Sequence, residues 1–589
     1  MHVLQNLLFN NHLSDISEKL YFDIQKGGIQ PLSENDGIIL EKNSRIFFGT
    51  YFNYFSLNTW RKYCQLKDLH FQLQGKGEFV LRFWLTDKNY QPSSSKRVIE
   101  KQVYLNKDQN CFCIDCSFLL KKQGILHFTI DTKGECFIQG GSFCTKTDPV
   151  NYIKLGIVIT HYNRKKYLIP AIRRIETQLL SNESFKNNID LIIVDNSRDV
   201  SSEEAGEAIV ISNLNYGGSG GFTRGLLYLK DRHYTHCLFM DDDASCEIES
   251  IIKTFRLLQY SVVERLAIAG TMLYEKESTI IHEKGAQYKP LSLIQLYCGL
   301  DISKFETIIA TDLDKKKIEY GAWWHFAFKI EDVNYFPFPF FVKGDDMLFG
   351  LMNHFNIITV NGICVFGEDF RYKDGPLPRY LSVRANFALA LIYSDCSLWI
   401  YVWRYIRWIF ISILTYRYAS ARATSIALQH VMRGPEFWTR YLSLTDIYPA
   451  ISNVLSEEKM DDVDIDQLKP SIRQVRFPIL KKIIIIMTFN GFFLPDFFIR
   501  DRLILSKKEI KHFPYEIFLE RNILYYSSEY NKGYVAIYNK KKFFSELFLG
   551  LKLMIQFVVR FKKLKREYRQ VVPKIMTEKF WRKVYQFKR

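Results

Sequence analysis

Leu155-Gly156-Ile157-Val158-Ile159-Thr160-His161-Tyr162-Asn163-Arg164 is an apolar, β-branched run that ends in polar residues. It reads as a buried strand whose carboxyl end meets a ligand or solvent. A helical stretch continues through Ala171 to Leu180, and Leu191-Ile192-Ile193-Val194 then gives a second strand, ending in Asp195-Asn196-Ser197. Strands alternating with helical patterns predict βαβ units and a parallel sheet, which binds ligands beyond the carboxyl ends of its strands. A third apolar run, Leu238-Phe239-Met240, passes directly into Asp241-Asp242-Asp243-Ala244. Three adjacent like charges repel, so stability alone gives no reason to place them at a strand end. A hard divalent cation does, because it takes carboxylate oxygen. A solvated acidic turn is the plain alternative, and the strand context favours a metal–diphosphate site.

Between the second and third strands lies Asn215-Tyr216-Gly217-Gly218-Ser219-Gly220-Gly221-Phe222-Thr223-Arg224-Gly225. Such a density of glycine reads as a loop that lets backbone pass close to a ligand and cradle phosphate, with Arg224 adding a cation. A flexible turn is the alternative. The spacing fits neither the dinucleotide fingerprint nor the P-loop.

Taken together, these segments resemble the family 2 inverting glycosyltransferases of GT-A fold, and most closely the galactofuranosyltransferases of the mycobacterial galactan-polymerase kind. Tyr320-Gly321-Ala322-Trp323-Trp324, the stretch Pro337 to Asp346, Tyr380 with Arg384 to Asn386, and Phe48 to Phe55 extend the likeness over most of residues 35 to 440. The resemblance implies that Asp241 and Asp243 bind Mn2+ or Mg2+. It sets Arg164 on the nucleotide diphosphate and Asp195 near the uracil. Thr160, Asn163, Gly218, Gly220, Arg224 and Asp242 complete the expected donor-binding set. Trp323 and Trp324 become the acceptor platform, and Asp346, beside Asp345, becomes the general base. The family's histidine metal ligand is missing, since the matching stretch reads Val365-Phe366-Gly367-Glu368-Asp369. Glu368, Asp369, His325, His282 or water are the substitutes.

The chemistry is coherent on physical grounds. A single displacement at an anomeric carbon needs a base for the acceptor hydroxyl, which a carboxylate supplies, and stabilisation of the departing nucleoside diphosphate, which a cation supplies. Asp345 would raise the pKa of its neighbour. The alternative for Asp345-Asp346 is a helix N-cap ahead of Met347 to Leu351. For the tryptophans it is core packing, and because strand neighbours point to opposite faces, at most one of the two need meet a sugar.

At 589 residues, 47% hydrophobic and 15% aromatic, the chain is long and apolar enough for several domains. Residues 1 to 150 carry strand patterns such as Glu78 to Leu85 and Leu126 to Ile130, separated by turn residues such as Gly75-Lys76-Gly77. They predict a β-sandwich or jelly roll. Residues 151 to 395 form the GT-A (Rossmann-like) α/β domain, and residues 396 to 589 a mainly helical region with an acidic connector at Glu457 to Asp466. Cys111, Cys113 and Cys116 lack a second half for zinc and read as reduced thiols. No secretory signal is recognisable at the start, which predicts a cytoplasmic location.

The net charge of +17 is concentrated in residues 540 to 589, where sixteen Lys or Arg oppose three Glu. A cationic segment beside the apolar stretch Phe543 to Val559 suits an anionic membrane surface, on the inner face of a bacterial plasma membrane. A solvated helical tail is the alternative. Nucleic acid ranks lower, as no nucleic-acid-binding motif accompanies the basic tail. The expectation is an inverting transferase moving galactofuranose from UDP-galactofuranose to a lipid-linked cell-surface glycan such as O-antigen, capsule or galactan. Another UDP- or dTDP-sugar hexosyl- or rhamnosyltransferase is the nearest alternative, a catalytically inactive carbohydrate-binding scaffold the more distant one. Homo-oligomerisation is left open.

Overall fold

The structure is a computed structural model and describes residues 1–9, 16–31, 37–87, 95–313, 316–370, 374–471, 479–507 and 517–586. Its centre is a seven-stranded mixed sheet built from β1 (Leu155–His161), β2 (Ile189–Asp195), β3 (Ile209–Ser212), β4 (His236–Asp241), β5 (Leu266–Ala269), β6 (Phe326–Lys329) and β7 (Asn356–Ile358). The spatial order is β3-β2-β1-β4-β6-β5-β7, with β6 the antiparallel member. The order reverses between β1 and β4, and in open sheets that reversal leaves a crevice at the carboxyl ends. Strand residues alternate between two buried faces. Ile157, Ile159, Leu191, Ile193, Leu238 and Met240 join one apolar cluster, while Val158, Ile192, Val194, Cys237 and Phe239 join the other. Burial on both sides explains why these strands are continuous apolar runs.

The glycine-rich stretch is a helix, α1 (Gly217–Asp231), not a loop. Glycine lowers helix propensity by about 1 kcal/mol per residue, yet Gly217, Gly221 and Gly225 repeat every four residues and share one side of α1. A Cβ on Gly225 would stand 2.3 Å from Val158 Cγ1, and one on Gly221 2.2 Å from Thr160 Cγ2. The glycines let α1 lie flush on β1. The opposite face of the sheet is covered by α2 (Ile248–Tyr260).

The N-terminal strands form an eleven-stranded antiparallel arrangement organised by one strand, His70–Thr86. Its first half pairs with Cys136–Thr145 and its second with Ile125–Thr132. Gly75-Lys76-Gly77, expected as a turn, lies inside this strand, where Gly77 has φ of +128° and a Cβ on Gly75 would sit 2.2 Å from the Phe137 carbonyl. Phe71, Phe83, Phe128 and Phe143 pack between the halves. The same apolar cluster continues into the parallel sheet. A polar seam accompanies it: Asn6 donates from N and Nδ2 to Glu249 at 2.8 Å each, Tyr21 donates to Glu247 at 2.5 Å, and Tyr54 donates to Asp312 at 2.7 Å.

Beyond α3 (Asp345–Asn353) the chain becomes mainly helical: α4 (Pro376–Tyr393), α5 (Leu398–Leu414), α6 (Tyr418–Met432), α7 (Ile479–Met487), α8 (Lys540–Ile575) and α9 (Glu578–Gln586). A four-stranded sheet interrupts them, and Asp461–Asp462 of the acidic connector is its edge strand against Lys532–Gly533. Residues 540–586 are not a loose tail. The inner side of α8 buries Phe543, Leu553, Phe557, Leu564 and Tyr568, and Trp581 of α9 is fully buried under the central sheet's second cluster. Residues 587–589 of the basic segment lie outside the described residues. Among the described residues no helix is long and apolar enough to cross a membrane.

Candidate functional site at the sheet's switch point

The carboxyl ends of β1, β2 and β4 bring the sequence motifs together. Thr160 pairs in register with Asp241, and His161 with Asp195. In the acidic triplet, Asp242 is turned inward and buried. It faces His161 Nδ1 at 3.2 Å, the Tyr162 N–H at 3.3 Å and Arg164 Nη1 at 3.2 Å. Asp241 and Asp243 are half-buried. Arg164 Nη1 also donates to Asp243 at 2.7 Å, a charge-assisted contact that offsets part of the triplet's repulsion. Asn163 takes a positive φ of 54° and donates its N–H to Ser197 Oγ at 2.8 Å.

Asp195 is buried and accepts four backbone N–H groups, from Ser197, Arg198, Asp199 and Val200, at 2.8–2.9 Å. Its carboxylate therefore shapes the turn after β2. Among the described residues His161, Asp195 and Asp199 bring potential ligand atoms within 4.8 Å of one another. With both Asp195 oxygens already occupied by backbone donors, this trio is a poorer cation cradle than the triplet. Burial opposes a charge on His161, but the hydrogen bond to Asp242 and the carboxylates of Asp195 and Asp199 outweigh it and raise its pKa.

Facing the triplet is the start of α3. Asp345 and Asp346 occupy its first turn, while Gly344 caps it with φ of 81° and no side-chain bond. The aspartates are thus not the cap; the helix dipole favours carboxylates in that turn. Phe341 (φ 76°), Lys343 (φ 71°) and Gly344 make a left-handed strap into the helix, a conformation costly for non-glycine residues and concentrated at functional sites. Packing holds the strap. Arg384, buried, donates from Nη2 to the Phe340 carbonyl at 2.7 Å, with Tyr380 beside it. Ser219 of α1 donates its N–H to the Phe341 carbonyl at 3.1 Å and its hydroxyl to Asp345 at 3.1 Å. Gly217 meets the strap directly, as a Cβ there would lie 2.1 Å from the Phe341 carbonyl.

Electrostatics ties the two sides together. Burial raises the pKa of Asp241, and the charges of Asp243, Asp242 and Asp346 raise it further, against Arg164. Burial likewise holds Asp346 above the ordinary carboxylate range, opposed by the Met347 N–H and Lys343, and Asp345 is raised by burial and then by Asp346. Glu283, which the sequence reading missed, belongs to the same group. It ends the strand Ile281–Glu283, is buried with Oε1 lacking a hydrogen-bond partner, and is pushed up to about 8 by burial and by Asp346. Its only sequence signal is a carboxylate closing a short apolar run, which many surface residues share. A concentration of buried carboxylates with elevated pKa values fits a divalent cation and marks a functional site; Asp241 and Asp243 are its half-buried members at the end of β4.

The remaining expected residues divide. Trp323 is buried among Phe222, Phe239 and Phe349, so it is a core residue with no open face for an acceptor. Trp324 is half-buried, its indole N–H bonded to the Gly270 carbonyl at 2.9 Å and its ring against His282. Arg224 lies two turns into α1, with its guanidinium over the Tyr585 ring of α9 at 5.1 Å. Gly220 gives its carbonyl to the Tyr585 hydroxyl at 2.6 Å. Both are engaged by Tyr585 of α9, whereas Gly218 lies against Asp345. His325 is buried beside Thr254 at 2.9 Å, and burial drives its pKa down to about 3, which makes it a core histidine. His282 contacts Tyr274 and Gln295. The segment ending at Gly367 is stitched to the triplet's turn by hydrogen bonds between Phe366 and Ser245, so Glu368 and Asp369 follow directly on the turn's neighbour.

The family model for glycosyl transferase family 2 matches residues 156–283, from β1 through the triplet to Glu283. The chain is 22% identical over 385 residues to galactofuranosyltransferase GlfT2 of Mycobacterium tuberculosis, covering 60% of this chain and 59% of that protein. It is 20% identical over 426 residues to GlfT2 of Mycolicibacterium smegmatis, covering 67% and 65%. The chain thus spans about three fifths of the length of these curated relatives. Among solved structures, the mannosyltransferase PcManGT from Pyrobaculum calidifontis, in complex with GDP-Man and Mn2+, aligns with TM-score 0.27 and 14% identity over 41% of this chain and 64% of its own. Glucosyl-3-phosphoglycerate synthase from Mycobacterium tuberculosis, with Mn2+ and UDP-glucose, aligns with TM-score 0.27 and 14% identity over 41% and 78%. Residues 156–283 thus match the glycosyl transferase family 2 model, and the chain is similar over about three fifths of its length to galactofuranosyltransferases.

Proposed function

We propose that this chain is an inverting, metal-dependent glycosyltransferase that moves a hexose, with galactofuranose from its UDP donor favoured, onto a growing cell-surface glycan. The observation that carries the reading is the meeting of two carboxylate groups across one crevice: Asp241 and Asp243 at the end of β4, and Asp346 close enough to raise the Asp241 pKa. A divalent cation held by Asp241 and Asp243 would supply charge neutralisation for a diphosphate. Thr160, Asn163 and Arg164, at the end of β1, are placed to line the donor, and Arg164 can leave Asp243 for a phosphate. Asp346, with its raised pKa, can take the acceptor hydroxyl proton near neutral pH, and Asp345, anchored by Ser219, orients it. Trp324 is the tryptophan with a face left for a sugar. The N-terminal strands read as a β-sandwich that buttresses α2 and steers the acceptor, with boundaries near residues 150 and 395. The site of action we favour is the inner face of a bacterial plasma membrane, acting on a lipid-linked acceptor.

The test is a screen of nucleotide sugars with purified protein and Mn2+, read as acceptor-dependent UDP release. UDP-galactofuranose should be turned over, and Asp346→Asn should lose about 10²–10⁴-fold in rate while still binding UDP with Mn2+. Full activity in a folded Asp346→Asn protein would remove the assignment of the base.

A further inference from the structure

We infer that Tyr585 of α9 is a positioning residue for the transfer reaction. It locks α9 to the glycine helix α1, and through that lock holds the strap that delivers Asp345 and Asp346 to the triplet. The effect on rate rests on the transferase reading; the contacts themselves do not.

α9 joins α8 through Met576 and Thr577 and grips two elements of the site. On one side it meets α1. Tyr585 donates its hydroxyl to the Gly220 carbonyl at 2.6 Å, and its ring lies 5.1 Å from the Arg224 guanidinium and 6.3 Å from the Tyr216 ring. Further along α1, Lys230 Nζ pairs with Glu578 at 2.5 Å, and Arg582 Nη1 donates to Asp231 at 3.1 Å. On the other side α9 meets the entry to the strap. Trp581 donates its indole N–H to the Pro337 carbonyl at 2.8 Å, and Phe336 donates its N–H to the Met576 carbonyl at 3.0 Å. Trp581 stacks on Tyr585, with ring centroids 5.7 Å apart and planes 22° apart, so the two grips act as one unit.

The far end of the strap is held by α1 itself, through Ser219 to the Phe341 carbonyl and to Asp345. Strap, α1 and α9 therefore close a ring of contacts: α9 fixes the entry, α1 fixes the exit, and Tyr585 ties α9 to α1. The left-handed residues Phe341 and Lys343 lie inside that ring. Such backbone persists only where its neighbours over-determine it. Freeing α9 loosens the strap's entry and the first turn of α1 together, and Asp346 moves with them. Arg384 still holds the Phe340 carbonyl, so the loss is partial. Asp241 and Asp243 follow β4, whose place is set by its pairing with β1 and β6. The lock thus acts on turnover and leaves binding of the nucleotide with its cation alone. It also accounts for Gly220 and Arg224, which serve α9.

The experiment compares the full wild-type chain with Tyr585→Ala, Tyr585→Phe and Asp231→Arg, the last alone and combined with Arg582→Asp. UDP release from UDP-galactofuranose gives kcat and donor KM, and titration with UDP in Mn2+ gives affinity. Hydrogen–deuterium exchange over residues 336–344 and 217–221 reads the lock without any sugar. Tyr585→Ala should lower kcat by roughly tenfold to hundredfold, with donor KM and UDP affinity within about twofold of wild type, and exchange over the strap should quicken. Tyr585→Phe keeps the ring over Arg224 and on Trp581, and should recover most of the rate. Asp231→Arg should lower kcat by roughly twofold to fivefold, and Arg582→Asp should restore it by swapping the pair, a rescue that loss of general stability does not give. Unchanged kcat in Tyr585→Ala, UDP affinity falling in step with kcat, or unchanged exchange over the strap would overturn the assignment. Should Tyr585→Ala fail to fold, the charge swap decides, and absence of rescue in rate and exchange overturns it. A wild-type chain that turns over no nucleotide sugar would remove the transferase reading and the positioning role with it. Faster strap exchange in Tyr585→Ala would then tell that failure apart from a lock that does not exist.

Discussion

Gly225→Ala separates two accounts of the glycine helix. For an isolated helix the change is favourable, since alanine exceeds glycine by about 1 kcal/mol in a helix interior. In the folded chain the added Cβ falls 2.3 Å from Val158 Cγ1, 3.0 Å from Cγ2 and 3.2 Å from Cβ. Rotating Val158 brings no relief, because its own Cβ is within the tight range and both γ-carbons flank it. α1 and β1 must part by about 1 Å, and overpacking of this kind costs about 1–3 kcal/mol. Set against the helix gain, the net effect is a loss of about 1 kcal/mol. The separation should be felt at Ser219 as well, loosening its hydrogen bond to Asp345. Hydrogen–deuterium exchange over residues 217–231 reports the local effect, and the amides of α1 should exchange roughly fivefold faster. Gly134→Ala, where a Cβ would meet nothing within 4 Å, is the control. Slower exchange in α1, or a denaturation midpoint above wild type, would refute the packing argument.

Asp241→Ala should weaken UDP binding measured in Mn2+ by at least about tenfold, and unchanged affinity would count against the cation pair. Burial and Asp346 hold Glu283 at about 8, far above its unfolded value of about 4.3, so the unfolded chain gives up that proton first. The stability it contributes is complete below about pH 4 and is lost as pH climbs through about 8. The metal-free melting temperature should fall over that window, less steeply in Glu283→Gln; a rise would contradict the sign. Trp581→Ala should cost about 3–5 kcal/mol, read from chemical denaturation, because the indole is fully buried and donates to the Pro337 carbonyl at 2.8 Å. A loss below about 1 kcal/mol would mean that α9 is dispensable.

The parallel strands were legible because burial on both faces forces uninterrupted β-branched runs, and their polar ends at Thr160, Asp195 and Asp241 locate the crevice without coordinates. The helical state of Gly217–Gly225 was not legible. Glycine normally argues against a helix, and the reason it succeeds here is the nearness of Val158 and Thr160 across the sheet. Trp323 and Trp324 look equivalent in sequence, yet the turn ahead of β6 that carries them sends one to the core and leaves the other half-buried. Glu283 enters the site only through its approach to Asp346, some sixty positions later. The cationic C-terminal segment was legible as charge, but its buried side emerges only when α8 packs on α5.

The seam between the N-terminal strands and α2 bears on any attempt to recombine this protein with a relative. Glu249 is pushed up to about 7 by burial and is satisfied by the backbone and side chain of Asn6; Glu247 is satisfied by Tyr21. A chimera joined near residue 150 would strand those carboxylates opposite foreign partners, at roughly 1–3 kcal/mol for each lost contact. Modules suited to grafting meet through sparse, forgiving surfaces. Here α2 would have to travel with the first strand, so the workable crossover points follow the hydrogen bonds rather than the linear boundary.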